Sequence, residues 1–288
     1  MALAESWRLR VVHRTAFDYA APVNVSFNEA RLSPLECPGQ LTLEHRIDVT
    51  PGVSMYRYFD YWGTTVHAFD LHRAHRRLTI TASSLVETGT LDSPTPGDPS
   101  WDDLESEAVT DEFCEFLAPS EFVFADDAID AAAAELRASS PTPAIAFDAV
   151  LAWVRDHVRY ERGTTTVSTT APEVLRAGRG VCQDFVHLTL ALLRAVGIPA
   201  RYISGYVHPS AEADVEIGVT VAGQSHAWLE AWLGNWRAVD PTSATDVGAR
   251  HVIVARGRDY ADVAPLRGLY HGGPSADVEV TVEVTRVL

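Results

Sequence analysis

The sequence is poor in positive charge and in long apolar runs, and each shortage excludes a class of protein. Its 23 lysine and arginine residues stand against 39 aspartate and glutamate residues, a formal net charge of -16. Nucleic acids and anionic membrane surfaces bind concentrated positive charge, so neither is an expected partner. No stretch approaches the roughly 20 apolar residues of a membrane span, and no apolar segment precedes the first charges. A cytoplasmic location is therefore the expectation.

Cysteine is also scarce, with only Cys37, Cys114 and Cys182 in the chain. An odd number of cysteines without a CxxC spacing indicates neither a disulfide framework nor a thiolate zinc site. We therefore expect no bound metal and no other cofactor. Cys37 and Cys114 have no basic residue in a matching pattern and receive no role, which leaves Cys182 as the thiol of interest.

The pattern of apolar residues divides the chain into two regions. Up to about residue 90 it alternates in short runs separated by turn residues, which predicts an antiparallel, sandwich-like β domain. The stretch "LDSPTPGDPSWDD", residues 91–103, has the composition of an exposed linker. The sequence thus predicts an α+β protein with an N-terminal antiparallel β domain over residues 1–100 and an α+β catalytic domain over residues 101–288.

Helical spacing dominates the first half of the second region. Residues 126–138 and 144–158 each predict a helix. A short helix follows, begun by the capping-box pair Thr170 and Glu173 and ended by Gly178. Residues 182–196 are apolar on nearly every side, which predicts a central buried helix closed by Gly197. Strands are then predicted for "IPARYISGYV", "SHAWLEAWL" and "NWRAVD" and for the C-terminal "ADVEVTVEVTRVL".

Cys182 lies in "GRGVCQDFVHLTLALL", directly between a glycine turn and the predicted buried helix. At a helix start the unpaired N–H groups and the dipole favour an anion, so a thiolate would be stabilised there. The same N–H groups could bind an oxyanion formed on an attacked carbonyl. Against this, free cysteine is one of the most buried residue types and is usually inert. On this residue alone the two interpretations are evenly balanced.

A base and an orienting acid are available on the predicted hairpin. Strand alternation places His226, Trp228, Glu230 and Trp232 on one face, with Asp240 at the end of the next strand. A two-residue turn would put Asp240 on the face opposite His226. A three-residue loop over residues 233–235 instead pairs Trp232 with Trp236 and makes Asp240 a diagonal neighbour of His226. We predict the three-residue loop, although His226 could also be a hydrogen-bonded core histidine and Asp240 a turn residue.

The segments "GVCQDFVHL", "SHAWLEAWL" and "WRAVDPT", with "GYV" between the first two, resemble the transglutaminase-like superfamily of papain-like thiol enzymes. The resemblance covers residues 145–245 strongly. The bacterial branch extends it through "GRDYADVAPLRG" and through the β-rich N-terminal pattern "APVNVSFNEARLSP". By this resemblance the second region has a papain-like, transglutaminase-like α+β fold. Cys182 would be the catalytic nucleophile, His226 the general base and later acid, and Asp240 the acid that orients the imidazole.

The chemistry implied by the resemblance is attack on a peptide or carboxamide carbonyl, giving a thioester acyl-enzyme released by water or by an amine. We expect a hydrolase, a cysteine protease or amidase acting on a peptide or protein substrate. Animal crosslinking enzymes of the family carry calcium sites, and this sequence lacks an EF-hand-like loop. An amine acyltransferase, a non-catalytic binding module and a metal site built from Cys182, His187 and His226 are the alternatives.

One feature departs from the papain pattern. Papain-type enzymes place a glutamine shortly before the cysteine to complete the oxyanion hole, whereas this chain has Arg176 and Gly178 there. The backbone N–H of Cys182 is one expected donor, with Tyr160 or Gln183 as weaker candidates. His187 lies about 140° around the helix from Cys182, and we expect it to form structural hydrogen bonds. No pattern encodes the oligomeric state or the identity of the substrate.

Overall fold

The computed structural model describes residues 5–90, 97–210, 216–243, 245–273 and 277–288. Residues 91–96 of the predicted linker lie outside the described residues, and its last three residues already begin a helix. In the described part of the chain, no helix combines the length and hydrophobicity needed to cross a membrane.

The described residues form fifteen strands and eight helices, numbered in chain order. The strands are β1 (Glu5–Val23), β2 (Val25–Ala30), β3 (Gln40–Thr50), β4 (Tyr56–Phe59), β5 (Thr65–Leu71), β6 (His75–Thr90), β7 (Arg159–Tyr160), β8 (Arg179–Gly180), β9 (Ala200–Val207), β10 (Thr220–Trp232), β11 (Trp236–Asp240), β12 (Thr245–Asp246), β13 (His251–Gly257), β14 (Leu266–His271) and β15 (Asp277–Arg286). The helices are α1 (Trp101–Leu104), α2 (Glu107–Glu112), α3 (Cys114–Leu117), α4 (Asp127–Ser139), α5 (Pro143–His157), α6 (Ala171–Ala177), α7 (Cys182–Val196) and α8 (Tyr260–Val263).

Antiparallel sheets form most of the molecule. The larger sheet runs in the order β12-β11-β10-β15-β1-β6-β3, and β9 pairs with both β10 and β13 beside this path. A second sheet has the order β14-β2-β5-β4. Between them lies an apolar cluster that includes Leu32, Phe69, Leu78 and Ile80. This cluster explains the alternation of the N-terminal sequence, because each sheet buries one face and exposes the other.

Helix α7 is the centre of the second region. Its side chains are buried from Gln183 to Arg194, and it packs against α4, α5, α6 and strands β9 and β10. A helix that is apolar all round needs such enclosure on every side. It ends at Gly197, whose φ of 95° is the left-handed conformation that glycine adopts without strain. The predicted buried helix is confirmed, as is the capping box of Thr170 and Glu173 that begins α6.

A buried ion cluster fixes β10 against its neighbours. Glu230, whose side chain is 7% exposed, contacts Arg201 of β9 at 2.6 Å and Arg256 of β13 at 3.2 Å. Burial alone would raise the pKa of this carboxyl, but the two guanidinium groups outweigh it and hold the pKa below its ordinary value. The cluster therefore ties three adjacent strands together on the side chain of one carboxylate.

The α+β fold class is confirmed, with a mixed helix and sheet region after an N-terminal β region. The strand pairing also crosses between the two regions. β15 pairs with β1 along most of its length and with the start of β10, while β14 pairs with β2. The division at residue 100 stays a prediction, but the last two strands complete the sheets begun by the N-terminal region.

Candidate active site

The hairpin of β10 and β11 brings the predicted base and acid together. Trp232 pairs with Trp236, and a three-residue loop joins the strands, with the Leu233 N–H donating to the Asn235 carbonyl at 2.9 Å. Gly234 in this loop has a φ of 77°. The register is the one predicted from the sequence, and it places Asp240 on the same face as His226.

Asp240 and His226 form a direct hydrogen bond. Imidazole Nε2 lies 2.8 Å from carboxylate Oδ2, and the Asp240 side chain is only 1% exposed. The backbone N–H of Thr242 and the hydroxyl of Ser243 donate to the same carboxylate at 2.9 and 2.7 Å. Burial opposes ionisation of Asp240, but the hydrogen bond and charge of His226, with smaller contributions from these two donors, outweigh burial and lower the pKa to about 2. The carboxylate is thus ionised and held in one orientation.

The His226 imidazole lies between Asp240 and Cys182. Burial disfavours its charged form, but hydrogen bonds with Asp240 and with Cys182 outweigh burial and raise the pKa of His226 to about 9. The ring is therefore protonated at neutral pH. Because Nε2 is bonded to Asp240, Nδ1 is the nitrogen left for the thiol.

Cys182 is the first residue of α7 and is partly exposed. The first hydrogen bonds of the helix run from the N–H groups of Asp184 and Phe185 to the Val181 carbonyl. The N–H groups of Cys182 and Gln183 precede them and are among the unpaired donors of a helix start. A thiolate or an oxyanion beside Cys182 would therefore meet backbone donors and the positive end of the helix dipole.

Asp184 fixes the geometry of this helix start. Its Oδ2 accepts hydrogen bonds from the Val181 N–H at 2.6 Å and from the Thr165 hydroxyl at 2.7 Å. A Cβ on Gly180 would lie 2.5 Å from the Asp184 Cβ, so only glycine fits at that position. Asp184 thus supports the helix start and also anchors the loop that carries Thr165.

A cavity of about 400 Å³ opens above the thiol. The lining residues are Tyr160, Arg162, Val167, Val181, Cys182, Gln183, Tyr202, Ser204, Gln224, Ser225, His226, Ala227, Tyr260 and Pro265. Both weaker oxyanion candidates, Tyr160 and Gln183, line it. The Gln183 side-chain amide donates to the Val167 carbonyl at 3.0 Å, so one of its hydrogens is already used.

His187 does not belong to the cleft. It is fully buried, Nδ1 lies 3.4 Å from the Thr169 carbonyl, and Nε2 accepts from the Tyr260 N–H at 3.3 Å. Burial lowers its pKa to about 4. His187 thus forms the structural hydrogen bonds predicted for it. With both ring nitrogens bonded to backbone groups, it offers no ligand for the alternative metal site with Cys182 and His226.

Sequence patterns did not indicate the loop residues of the site. Thr165, Ser243 and Arg162 all lie in loops, where no periodicity shows which way a side chain points. The clustering of threonines near residue 165 was a signal for hydrogen bonding, but its partner Asp184 lies 19 residues further along the chain. Trp228, by contrast, lies in a strand, where alternation assigns it to the same face as His226, and its side chain is fully buried.

Comparisons with known proteins match both regions of the chain. The transglutaminase-like superfamily model matches residues 130–241, and the bacterial transglutaminase-like N-terminal region matches residues 9–87. An uncharacterised protein of Mycobacterium leprae is 45% identical over 98% of this chain and 99% of its own length. An uncharacterised protein of Mycobacterium tuberculosis is 33% identical over 99% of this chain and 94% of its own length.

Among solved structures, the fold is similar to a protein of Cytophaga hutchinsonii described as a candidate cysteine protease. The TM-score is 0.76 at 21% identity, and the match covers 99% of each chain. That likeness shows the shared fold over the full length, including the N-terminal β region. The matched family models establish that this chain belongs to the transglutaminase-like superfamily.

Proposed function

We propose that this protein is a thiol hydrolase that cleaves peptide or carboxamide bonds through Cys182, His226 and Asp240. The observation that carries the proposal is the position of His226, which is hydrogen-bonded to the buried Asp240 carboxylate at 2.8 Å and lines the same cavity as Cys182. Its raised pKa of about 9 makes the ring cationic at neutral pH. A cationic ring beside a thiol at a helix start favours the thiolate, which is the nucleophilic form.

In the acylation step the Cys182 sulfur attacks the carbonyl carbon of the substrate and forms a C–S bond. The carbonyl electron pair moves to oxygen, where the N–H group of Cys182 stabilises the charge. Collapse of this intermediate breaks the C–N bond while the His226 imidazolium gives its proton to the leaving amine. The product is a thioester on Cys182 and a free amine.

In the deacylation step neutral His226 accepts a proton from water as the water oxygen attacks the thioester. Collapse releases the carboxylic acid and returns the thiolate and the imidazolium. Throughout the cycle Asp240 keeps the ring orientation and stabilises its charged form, the role of a carboxylate in such triads.

The amino-acid composition of the chain makes hydrolysis and amine transfer easier to distinguish in an assay. All 23 of its positively charged residues are arginine, and it contains no lysine. Its own side chains therefore cannot be the amine donor for an isopeptide bond. Any transferred product must contain an amine from another molecule or from an N-terminal amino group, so a transfer assay has almost no background from self-crosslinking.

The first test is the pH dependence of Cys182 alkylation by iodoacetamide in wild type and in His226→Ala, with the modified site read by peptide mass spectrometry. We expect wild-type Cys182 to react rapidly below the ordinary free-thiol range of about 8.5, and the variant to lose this reactivity. A wild-type profile like that of a free thiol, unaffected by the variant, would contradict the triad and favour a binding module.

The second test follows the acyl-enzyme. A peptide anilide is used to form an acyl group on Cys182, which is detected by intact-protein mass spectrometry. The acyl-enzyme is then mixed with water or with a primary amine, and the released product separates the two activities. Release as the free acid with millimolar amine present supports the hydrolase, whereas predominant amide product would assign an amine acyltransferase.

A further inference from the structure

The charge distribution of the cleft differs from that of the rest of the molecule. Of the 14 described residues that line it none is aspartate or glutamate, although 39 of the 288 residues are acidic and a random set of 14 would hold about two. Among these described lining residues, Arg162 alone has a permanent charge. A thiolate on Cys182 and an imidazolium on His226 cancel each other, so Arg162 leaves the cleft with a net positive charge.

Arg162 has no partner among the residues that the structure describes. Among the described residues no hydrogen bond, ion pair or ring contact involves its side chain, which is exposed. The acid next to it, Glu161, contacts Arg179 at 3.7 Å instead. An unpaired guanidinium in a water-filled cleft retains its planar set of donors, which matches the geometry of a carboxylate.

The backbone that carries Arg162 is fixed to the helix that carries Cys182. The Glu161 N–H donates to the Gly180 carbonyl at 2.9 Å. Further along the same loop, Thr165 is bonded to Asp184, and the Val167 carbonyl is bonded to Gln183. The loop is thus tied to the start of α7 on both sides of Arg162. The backbone that carries Arg162 is therefore held at the cavity that Cys182 also lines.

The other polar groups of the cleft are neutral donors. Burial raises the pKa of Tyr202 and of Tyr260, so both hydroxyls keep their protons at neutral pH. Ser204, Ser225 and Gln224 add uncharged groups. A bound anion would meet hydrogen-bond donors and one cation, with no repelling carboxylate among the lining residues.

We propose that Arg162 selects substrates whose acyl part carries a carboxylate close to the scissile carbonyl, such as peptides with an acidic residue at that position. This inference rests on the proposed function, because it assigns the specificity of the same cleft. Arg162 touches the substrate but takes no part in bond making or breaking.

The experiment compares matched anionic and neutral reagents at Cys182. Iodoacetate is paired with iodoacetamide, and 3-maleimidopropionate, which reaches further, is paired with N-ethylmaleimide. The quantity measured is the ratio of the two labelling rates at Cys182 at low ionic strength. The exposed Cys114 provides an internal reference in the same peptide digest. The proteins are wild type, Arg162→Gln, Arg162→Lys and the matched control Arg159→Gln.

Arg159 is a suitable control because it is exposed, carries the same charge three residues earlier, and does not line the cleft. A unit charge about 8 Å from the reagent, acting through an effective dielectric of about 40, changes such a ratio about fivefold. We expect the anion-to-neutral ratio of labelling rates at Cys182 to fall by about this factor in Arg162→Gln. The ratio should be mostly restored in Arg162→Lys and should change little in Arg159→Gln. The effect should shrink in salt, because exposed charges are screened.

The outcomes separate this inference from the proposed function. Rapid labelling of Cys182 by the neutral reagents, with the same anion-to-neutral ratio in wild type and Arg162→Gln, overturns the role of Arg162 and leaves the triad intact. An equal fall of the anion-to-neutral ratio in Arg162→Gln and Arg159→Gln also overturns the role of Arg162, since general surface charge would then be the cause. A Cys182 inert to the neutral reagents in wild type overturns both proposals.

Discussion

Replacing Asp240 by asparagine tests the electrostatic basis of the site. The substitution keeps the shape of the side chain but removes the negative charge 2.8 Å from His226 Nε2. An opposite charge within 4–6 Å shifts a pKa by about one to three pH units, so the pKa of His226 should fall from about 9 to roughly 6–8. At pH 7 the protonated fraction then falls from about 99% to about half in the middle of that range.

The assay is an NMR titration of the His226 ring in wild type and Asp240→Asn, with Cys182 alkylation by iodoacetamide measured at pH 6.5 on the same samples. Ser243→Ala is the matched control, because it removes one hydrogen bond to the carboxylate and leaves the charge. We expect the pKa of His226 to fall less in Ser243→Ala than in Asp240→Asn. A His226 pKa that stays near 9 in Asp240→Asn would refute the reasoning, since burial alone lowers it.

Three further outcomes follow from the described contacts. The interactions that raise the pKa of His226 also stabilise the folded state, by up to about 3 kcal/mol. This stabilisation is fully present below pH 6.5 and is lost as the pH rises to about 9. Chemical denaturation of wild type and His226→Gln should therefore differ more at pH 6 than at pH 9.5, and an equal difference would contradict this. Glu230→Gln leaves two partly buried arginines without their carboxylate. We expect it to lower the free energy of unfolding in urea by about 3–5 kcal/mol, and a loss under about 1 kcal/mol would refute this reasoning. Gly205→Ala places a Cβ 2.6 Å from the Trp228 ring, so its melting temperature should fall sharply, and an unchanged value would contradict the close packing.

The hairpin shows what sequence reasoning can reach. The register of Trp232 with Trp236 followed from requiring that His226 and Asp240 share a face, and the structure has that register. Local patterns also located the start and end of α6 and α7, because capping residues and left-handed glycines act within one turn.

Long-range features were out of reach for a physical reason. β15 alternates clearly, which predicts a strand, yet alternation does not name a partner, and its pairing with β1 joins residues such as Leu9 and Arg286. Glu230 was placed on the correct strand face, but its burial depends on Arg201 and Arg256 from two other strands. Arg162 gave no signal at all, since a single arginine in a loop has no period.

The position of β15 between β1 and β10 has a consequence for how the protein can be divided. Thr285 pairs with Arg10 of β1 on one side and with Thr220 of β10 on the other. A fragment over residues 101–288 would keep β15 but lose β1, and the β1 side of this strand would become a long unpaired edge, the kind of surface on which sheets of separate molecules join. The N-terminal region therefore covers this edge of the strand that pairs with β10, and both regions are expected to unfold in one transition.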